Sequence, residues 1–459
     1  MIRQHFALHL ALTVFFAAGA GAQSDLFILT SDFATGSTAF LPGGASVASV
    51  NLLGIHSDAV GHYQDGRIYV INRLGQDNIL VLDPADLTNP VIQFSVDNGS
   101  NPQDIEIISE GKAYVSRYAS TDLLVVDPHD GTQLGTVDLS AYADDDGLPE
   151  MSQIVRVGNR IYVSCQRLDR NAGFTPGDAV LVIIDIASDA VVGEIALSAA
   201  NPNSAIVAGD QIIVSASAGF GDRLGGIDII DTRTGTSTGL AVTEEALGGD
   251  LSSLVLRTSN SGFAIVLDEN FANSVVPVNL ATGAVGTALE GLSGGFIATM
   301  AIDGNRLLIG DQGSFGDPTS AGLKIYDATT GGLLAGPIDT GLPPSSIVVL
   351  SSVPITAVRA ELSAALPRDV TVGDGYPNPF NATVRIPFEL AGDGAVEMYV
   401  YDLLGRRVRG LVSGRLGPGG YSATWDGTDG TGQTVANGTY FVRLLSGGDR
   451  SMTKIMLLK

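Results

Sequence analysis

The sequence predicts an all-β protein: a seven-bladed β-propeller followed by a small Ig-like β-sandwich. Three observations predict it. A phrase of two apolar, β-branched strands, the second ending in Asp and a turn, recurs at intervals of roughly 45 residues. The recurring region lacks one strand where it begins and carries one extra where it ends. A different strand pattern then starts after a Pro- and Ala-containing connector. Composition agrees. Among 459 residues, 58 are Gly and only 16% are charged. That mixture suits short strands joined by tight turns, because glycine reaches positive φ without steric cost. Past the N-terminus no segment keeps an apolar period of about 3.6 residues, so little helix is expected.

Taken in order, residues 1–22 read as a signal peptide. Arg3 supplies the positive charge, Phe6 to Ala18 is mostly apolar, and Ala20-Gly21-Ala22 is a small-residue cleavage pattern before Gln23. An uncleaved anchor helix is the alternative, but the apolar run is short for a span. No cysteine follows it, which excludes lipoprotein processing. No later stretch is long enough to cross a membrane. The mature chain is therefore expected to be secreted or held at the outer surface of a Gram-negative-type bacterium, with no transmembrane segment once the signal is removed.

Residues 23–352 carry the repeats, with four strands, A to D, in each. Strand B reads Leu26–Leu29, Ile68–Val70, Ala113–Val115, Ile161–Val163, Ile212–Val214, Phe263–Val266 and Leu307–Ile309. Strand C reads Thr38–Leu41, Ile79–Leu82, Leu123–Val126, Leu181–Ile184, Ile227–Ile230, Val275–Val278 and Leu323–Tyr326. Asp83, Asp127, Asp185, Asp231 or Asp327 follows strand C, at a tight reversal. Four strands per unit match a propeller blade, and counting strand B gives seven. The first repeat has no strand A, and Ser346–Leu350 is an orphan strand A at the end. Pairing the two would close the ring and remove an exposed sheet edge. A β-sandwich array is the runner-up; it needs longer repeats and no complementary ends.

Tyr69-Val-Ile-Asn72 followed by Ile79-Leu-Val-Leu-Asp83 resembles the strand pair of the YVTN family of β-propellers and, more loosely, the YncE-like and surface-layer propellers. Repeats two to four fit; repeats one, five, six and seven lack the Tyr. The resemblance implies fold and an extracytoplasmic location, and no common reaction.

Residues 353–371 suit a linker, and 372–459 a C-terminal sandwich. Two related modules are resembled. Tyr376-Pro-Asn-Pro-Phe380, Val400-Tyr-Asp-Leu-Leu-Gly-Arg406, a Gly-x-Tyr strand and the basic last residue Lys459 are similar to the type A sorting domain of the type IX secretion system. Trp425-Asp-Gly-Thr-Asp-Gly-Thr-Gly432 and Gly438-Thr-Tyr-Phe441 are similar to the Ig-like domain first described in the flagellar hook-capping protein, and the Trp-Asp-Gly run fits this second module better. The sorting resemblance implies export machinery as a partner, and cleavage or surface attachment as the module's fate.

The formal net charge of -24 disfavours nucleic-acid binding, which needs a basic footprint. Cys165, the single cysteine, ends a strand-like run and reads as a packed residue. The mature chain offers only His56, His62 and His129 as bases near a thiol. No Ser-His-Asp order, zinc motif, phosphate loop or CxxC is present, so no catalytic residue, metal site or cofactor is assigned. Asp144-Asp-Asp-Gly147 and Asp426-Gly-Thr-Asp429 look like cation loops, with calcium the candidate, yet neither has the later Glu of an EF-hand.

Propeller topology brings the start of strand A and the end of strand B to one face. Candidate ligand-binding residues there are Arg73, Arg117 and Arg167 after strand B, and His56, Asp58, Asp104, Gln153 and Asn203 at the start of strand A. Ordinary solvated loop ends with local Arg–Asp pairs are the competing reading. The loops between strands B and C also carry Phe33, Phe174, Phe220, Phe271 and Phe315. These rings either form an aromatic rim or plug the gaps between blades. The expected function is an interaction scaffold for an unidentified glycan, peptide or protein. The alternative is an extracytoplasmic enzyme, a lyase, hydrolase or dehydrogenase, on the same face.

Overall fold

A computed structural model describes residues 23–314 and 318–350, and 371–458 apart from 374, 376, 377, 379, 382, 391–393, 403–405, 417–418, 431–432 and 447–448. The expected signal segment, most of the connector, Phe315 and Lys459 lie outside the described residues.

Seven four-stranded antiparallel sheets form the first unit. Blade 2 is representative, with strands A to D at Ala59–Gln64, Arg67–Asn72, Asn78–Leu82 and Ile92–Ser95. The innermost strands of the other blades are Pro344–Leu350 in blade 1, Pro102–Ser109, Met151–Val157, Pro202–Ala208, Asp250–Thr258 and Ile297–Asp303. Each innermost strand touches the next, and the last touches the first, so the ring is closed.

Closure follows the two incomplete ends. Asp25–Ser31, strand B of blade 1, pairs with Pro344–Leu350, aligning Ile28 with Ile347 and Leu26 with Val349. The junction is held by polar contacts as well. Ser24 Oγ donates to Asp303 Oδ1 at 2.8 Å, and Arg306 Nη1 donates to Gln23 Oε1 at 2.8 Å.

Strands B and C are almost wholly apolar because each blade is covered on both faces, so alternation is suppressed there. In blade 1, Leu26 and Ile28 pack toward blade 7 against Leu308, Leu323 and Ile325, while Phe27 and Leu29 pack toward blade 2 against Ile68, Val70 and Leu80. One such buried cluster fills each of the seven blade interfaces. Strand D faces solvent and alternates, as in Ala190–Ala196.

The Asp after strand C caps its turn. Gly131, Gly235 and Gly331 donate backbone N–H to the carbonyls of Asp127, Asp231 and Asp327. The Asp327 carboxylate accepts from the backbone of Thr329 and Thr330, which holds its carboxyl below the usual range. The recurring Asp therefore has a local structural cause.

The second unit is a sandwich. One sheet holds Thr371–Val372, Val384–Leu390 and Gly419–Trp425; the other holds Arg407–Leu416, Gly394–Tyr401, Gly438–Ser446 and Asp449–Leu457. The Trp-Asp-Gly run has a plain physical basis. The buried indole of Trp425 lies 5.5 Å from the Phe380 ring and 4.8 Å from that of Tyr440. Its Nε1 donates to the Thr428 carbonyl at 2.8 Å, and Asp426 accepts from the Thr428 backbone at 3.0 Å. Gly427 sits at φ 70, and a Cβ there would stand 3.1 Å from Leu457. Asp426-Gly-Thr-Asp429 is thus a turn whose carboxylates are engaged internally: Asp429 likewise accepts from Gln433 N at 3.0 Å.

Candidate functional site

Strand B of each blade ends beside the start of strand A in the next, and most of the polar residues there join blades together. Arg73 Nη1 donates to Gln103 Oε1 at 2.8 Å, and its other nitrogens hold Asp58. Ser116 donates to the Ser152 carbonyl, and Gln166 Nε2 to the Pro202 carbonyl at 2.7 Å. Asn203 Nδ2 donates to the Leu251 carbonyl at 2.9 Å, and Asn273 accepts from Ile297 N at 3.0 Å.

Placed on this frame, the predicted arginines do not converge. Arg117 is buried against Asp97 and the carbonyls of Val96 and Asp122. Arg167 Nη1 donates to the Asp178 carbonyl at 2.9 Å within its own blade. His56 is turned into its own loop, its Nδ1 accepting from Asp58 N at 3.1 Å and its backbone donating to Asn72. Short-range partners consume these groups because each lies within a loop that already carries an acceptor.

Asp104 and Gln153 do meet. Together with His62, Tyr63, Gln64, Glu106, Ile154 and Ala205 they line a cavity of about 240 Å³ on the inner wall formed by strands A of blades 2 to 5. His62 Nε2 lies 3.1 Å from Asp104 Oδ1, and Ile154 N donates to Asp104 Oδ2 at 2.8 Å. Burial pushes the Asp104 carboxyl upward, opposed by His62 and by the backbone N–H groups of Ile154 and Ile105. From sequence His62 is only a possible base for Cys165; it lies on strand A of blade 2, and only the neighbouring blade shows that it faces Asp104. Cys165 is buried in the core between blades 3 and 4, and burial pushes its thiol up to about 12, away from the reactive thiolate form.

The phenylalanines of the B–C loops point outward. Phe33, Phe174, Phe220 and Phe271 are 73%, 57%, 59% and 67% exposed. None of these four rings is buried between blades, although some meet rings of a neighbouring blade. Phe33, Phe174 and Phe271 have φ of 68, 64 and 61, a left-handed conformation that costs an L-residue roughly 1–2 kcal/mol. Phe220 and Phe271 stack at 5.0 Å with their planes 3° apart, and Phe33 lies 6.2 Å from Phe296.

The Asp144 loop gains a partner that spacing did not reveal. Carboxylate oxygens of Asp144, Asp146 and Glu150 lie within 4.8 Å of one another. The guanidinium of Arg170 already stands among them, 3.1 Å from Asp146 and 3.3 Å from Glu150. Burial, then the nearby Asp146, raises Glu150 to about 7. The cluster is a partly neutralised acidic knot that ties the strand A start of blade 4 to its B–C loop.

No curated protein matches the sequence. Among solved structures, the chain is similar to PorZ of Porphyromonas gingivalis, described as an essential bacterial surface component of the type IX secretion system. Identity is 14%, the TM-score 0.44, and the match covers 92% of this chain and 63% of PorZ. It is similar to AztD of Citrobacter koseri at 14% identity and TM-score 0.44, covering 72% of this chain and 98% of that one. It is also similar to a protein described as a putative 6-phosphogluconolactonase of Bacteroides fragilis, at 13% identity and TM-score 0.47, covering 72% and 98%. Among the described residues, no helix is long and apolar enough to cross a membrane. Within the sandwich, residues 378–448 match the family model of the FlgD Ig-like domain.

Proposed function

We propose that this chain is an exported binding scaffold: the propeller holds a ligand on its loop-rich face, and the C-terminal module serves secretion or surface attachment. The carrying observation is the four exposed phenylalanines of the B–C loops, three of them on left-handed backbone. Strain that brings apolar rings into water has no folding benefit and belongs with a binding role. The neighbouring polar groups support the same reading, because most are spent on joining blades. Binding of the full chain to glycan and peptide arrays, beside a variant with Phe33, Phe174, Phe220 and Phe271 all changed to Ser, tests it. Ligands retained by the native chain and lost in a variant of unchanged far-UV circular dichroism support the scaffold. Absence of any ligand on both arrays rejects it.

The module's attachment role is supported by Phe380, by the Val400-Tyr-Asp402 and Arg406 step, and by the strand around Tyr440; Tyr376, Pro377, Pro379, Leu403–Gly405 and Lys459 of the same motifs lie outside the described residues. Expression in a bacterium with and without a functional type IX system tests the route: surface or medium localisation that persists without the system excludes the sorting reading. An extracytoplasmic enzyme is the second reading, favoured by the His62–Asp104 pair in its cavity, where Asp104 would orient the imidazole for proton transfer. Turnover of any array-selected compound that His62→Gln abolishes would decide for the enzyme.

A further inference from the structure

The stacked pair on blades 5 and 6 stands on two hydrogen-bonded loops. The loop bearing Phe220 is tied to Asp250 and Glu244. Gly221 N donates to both oxygens of Asp250, at 3.1 and 3.0 Å, and Arg223 Nη1 donates to Asp250 Oδ1 at 3.1 Å. Gly225 N donates to Glu244 Oε2 at 2.9 Å. Within the loop, Gly219 N and Leu224 N donate to the two oxygens of Asp222 at 2.8 and 2.9 Å. The Phe271 loop is fixed by Asp268, which accepts from the backbone of Asn270 and Ala272 at 2.8 Å each. A platform ordered in advance loses little entropy when a partner lands on it. Leu224, itself exposed, extends the apolar surface.

The charge around this platform has one sign. Segments 219–224, 244–250 and 268–271 contain Asp222, Glu244, Glu245, Asp250, Asp268 and Glu269 against Arg223 alone. Arg223 is committed to Asp250. Asp222, Glu245 and Glu269 are exposed and Asp268 is half-buried. Hydrogen bonds from the Ala272 and Asn270 backbone hold the Asp268 carboxyl below its ordinary range, so it is ionised near neutrality. An acidic ligand is repelled by such a surface, and a neutral sugar gains nothing from its charge. An apolar side chain flanked by Lys or Arg satisfies both features.

Resting on the scaffold reading, we propose that Phe220 and Phe271 form a docking platform for a cationic peptide segment, which seats an aromatic or aliphatic side chain on the ring pair and places basic residues against Asp222, Asp268 and Glu269. The test selects a phage-displayed random peptide library on the immobilised full chain, with Phe220→Ala/Phe271→Ala as the counter-target and a glycan array in parallel. Expected is enrichment of sequences pairing Lys or Arg with an apolar residue. A synthetic copy of one such peptide should bind about 100-fold more weakly to the double variant, as central aromatic anchors do. Its affinity for the native chain should fall ~10-fold between low and high salt. Because both rings are exposed, the double variant should melt with the native chain. If it does not, Glu245→Lys/Glu269→Lys, which spares the carboxylates that hold the two loops, must still weaken the peptide by about 10-fold. Enrichment of peptides without basic residues, binding that survives loss of the rings, or a glycan that depends on them overturns this inference and leaves the scaffold standing. No enrichment on either arm overturns both.

Discussion

Gly61→Ala probes the closure of the ring. Gly61 lies on strand A of blade 2, and a Cβ built there stands 2.6 Å from Val348 Cγ2 and 2.8 Å from Leu29 Cδ1. Leu29 belongs to the first strand of the propeller and Val348 to its last, and both are buried. These distances are well inside carbon–carbon contact at about 3.5–4.0 Å. Overpacking of ~1–3 kcal/mol, less the ~0.5–1 kcal/mol that Ala saves in strand entropy, leaves an expected loss of about 1–2 kcal/mol. Val348→Ala alone removes two buried carbons and costs ~1–3 kcal/mol. In the double variant the new Cβ takes the space of the lost Cγ2, so the pair should cost about 1 kcal/mol less than the two single losses together. Urea unfolding of the full chain followed by far-UV circular dichroism reads the propeller. The fluorescence of Trp425, the single tryptophan, reads the sandwich and should not move. A harmless Gly61→Ala, or a double variant additive within ~0.5 kcal/mol, would refute the placement of Val348 and Leu29 against blade 2.

Three further outcomes are expected. Lys324 is buried in blade 7, donating to Asp311 Oδ2 and the Gly291 carbonyl, both at 2.8 Å; Lys324→Met strips the cation from a buried carboxylate that then keeps only Ser293 and Gly313 as donors and should cost ~3–5 kcal/mol in urea unfolding, with Asp311→Asn/Lys324→Met recovering part of it through the one oxygen that Asn retains as acceptor. A double variant as unstable as the single one would show that the charge is not the cause. Glu150 has its folded pKa raised from 4.5 to about 7, so the folded state binds the proton more tightly and loses stability as pH rises through roughly 4.5–7. The melting temperature of Glu150→Gln relative to the native chain should therefore climb between pH 5 and pH 8, and a flat difference would contradict the burial of this carboxyl. Trp425→Phe removes the indole donor to the Thr428 carbonyl and should cost the sandwich about 1–2 kcal/mol, read by the dichroism phase assigned to it and absent from the propeller phase.

Much of the fold was legible because its causes are local or periodic. The paired strands at Arg67–Asn72 and Asn78–Leu82 are apolar throughout, since both faces of a blade are covered, and each repeat therefore carries the same signal. The Asp after strand C caps its own turn, so its recurrence is also a local fact. Closure was legible for a counting reason: a strand missing before Leu26 and one spare at Ser346–Leu350.

The candidate site was legible only in part. Sequence position put Arg73, Arg117 and Arg167 on the right face, yet a side chain takes the nearest acceptor that packing offers, and each found one in its own or the next loop. His62 meets Asp104, and Glu150 meets Asp144 and Asp146, through contacts between chain segments or around a turn that no spacing rule encodes. The phenylalanines show the division most clearly. Their recurrence in the B–C loops is written in the sequence by itself, as are the blade count, the order of the two units and the acidic balance. Whether the rings turn inward or outward was decided by the folded loops: local turns set the left-handed backbone at Phe33, Phe174 and Phe271, while the Phe220 loop is held by Asp250 of the next blade, a contact that no spacing within the loop encodes.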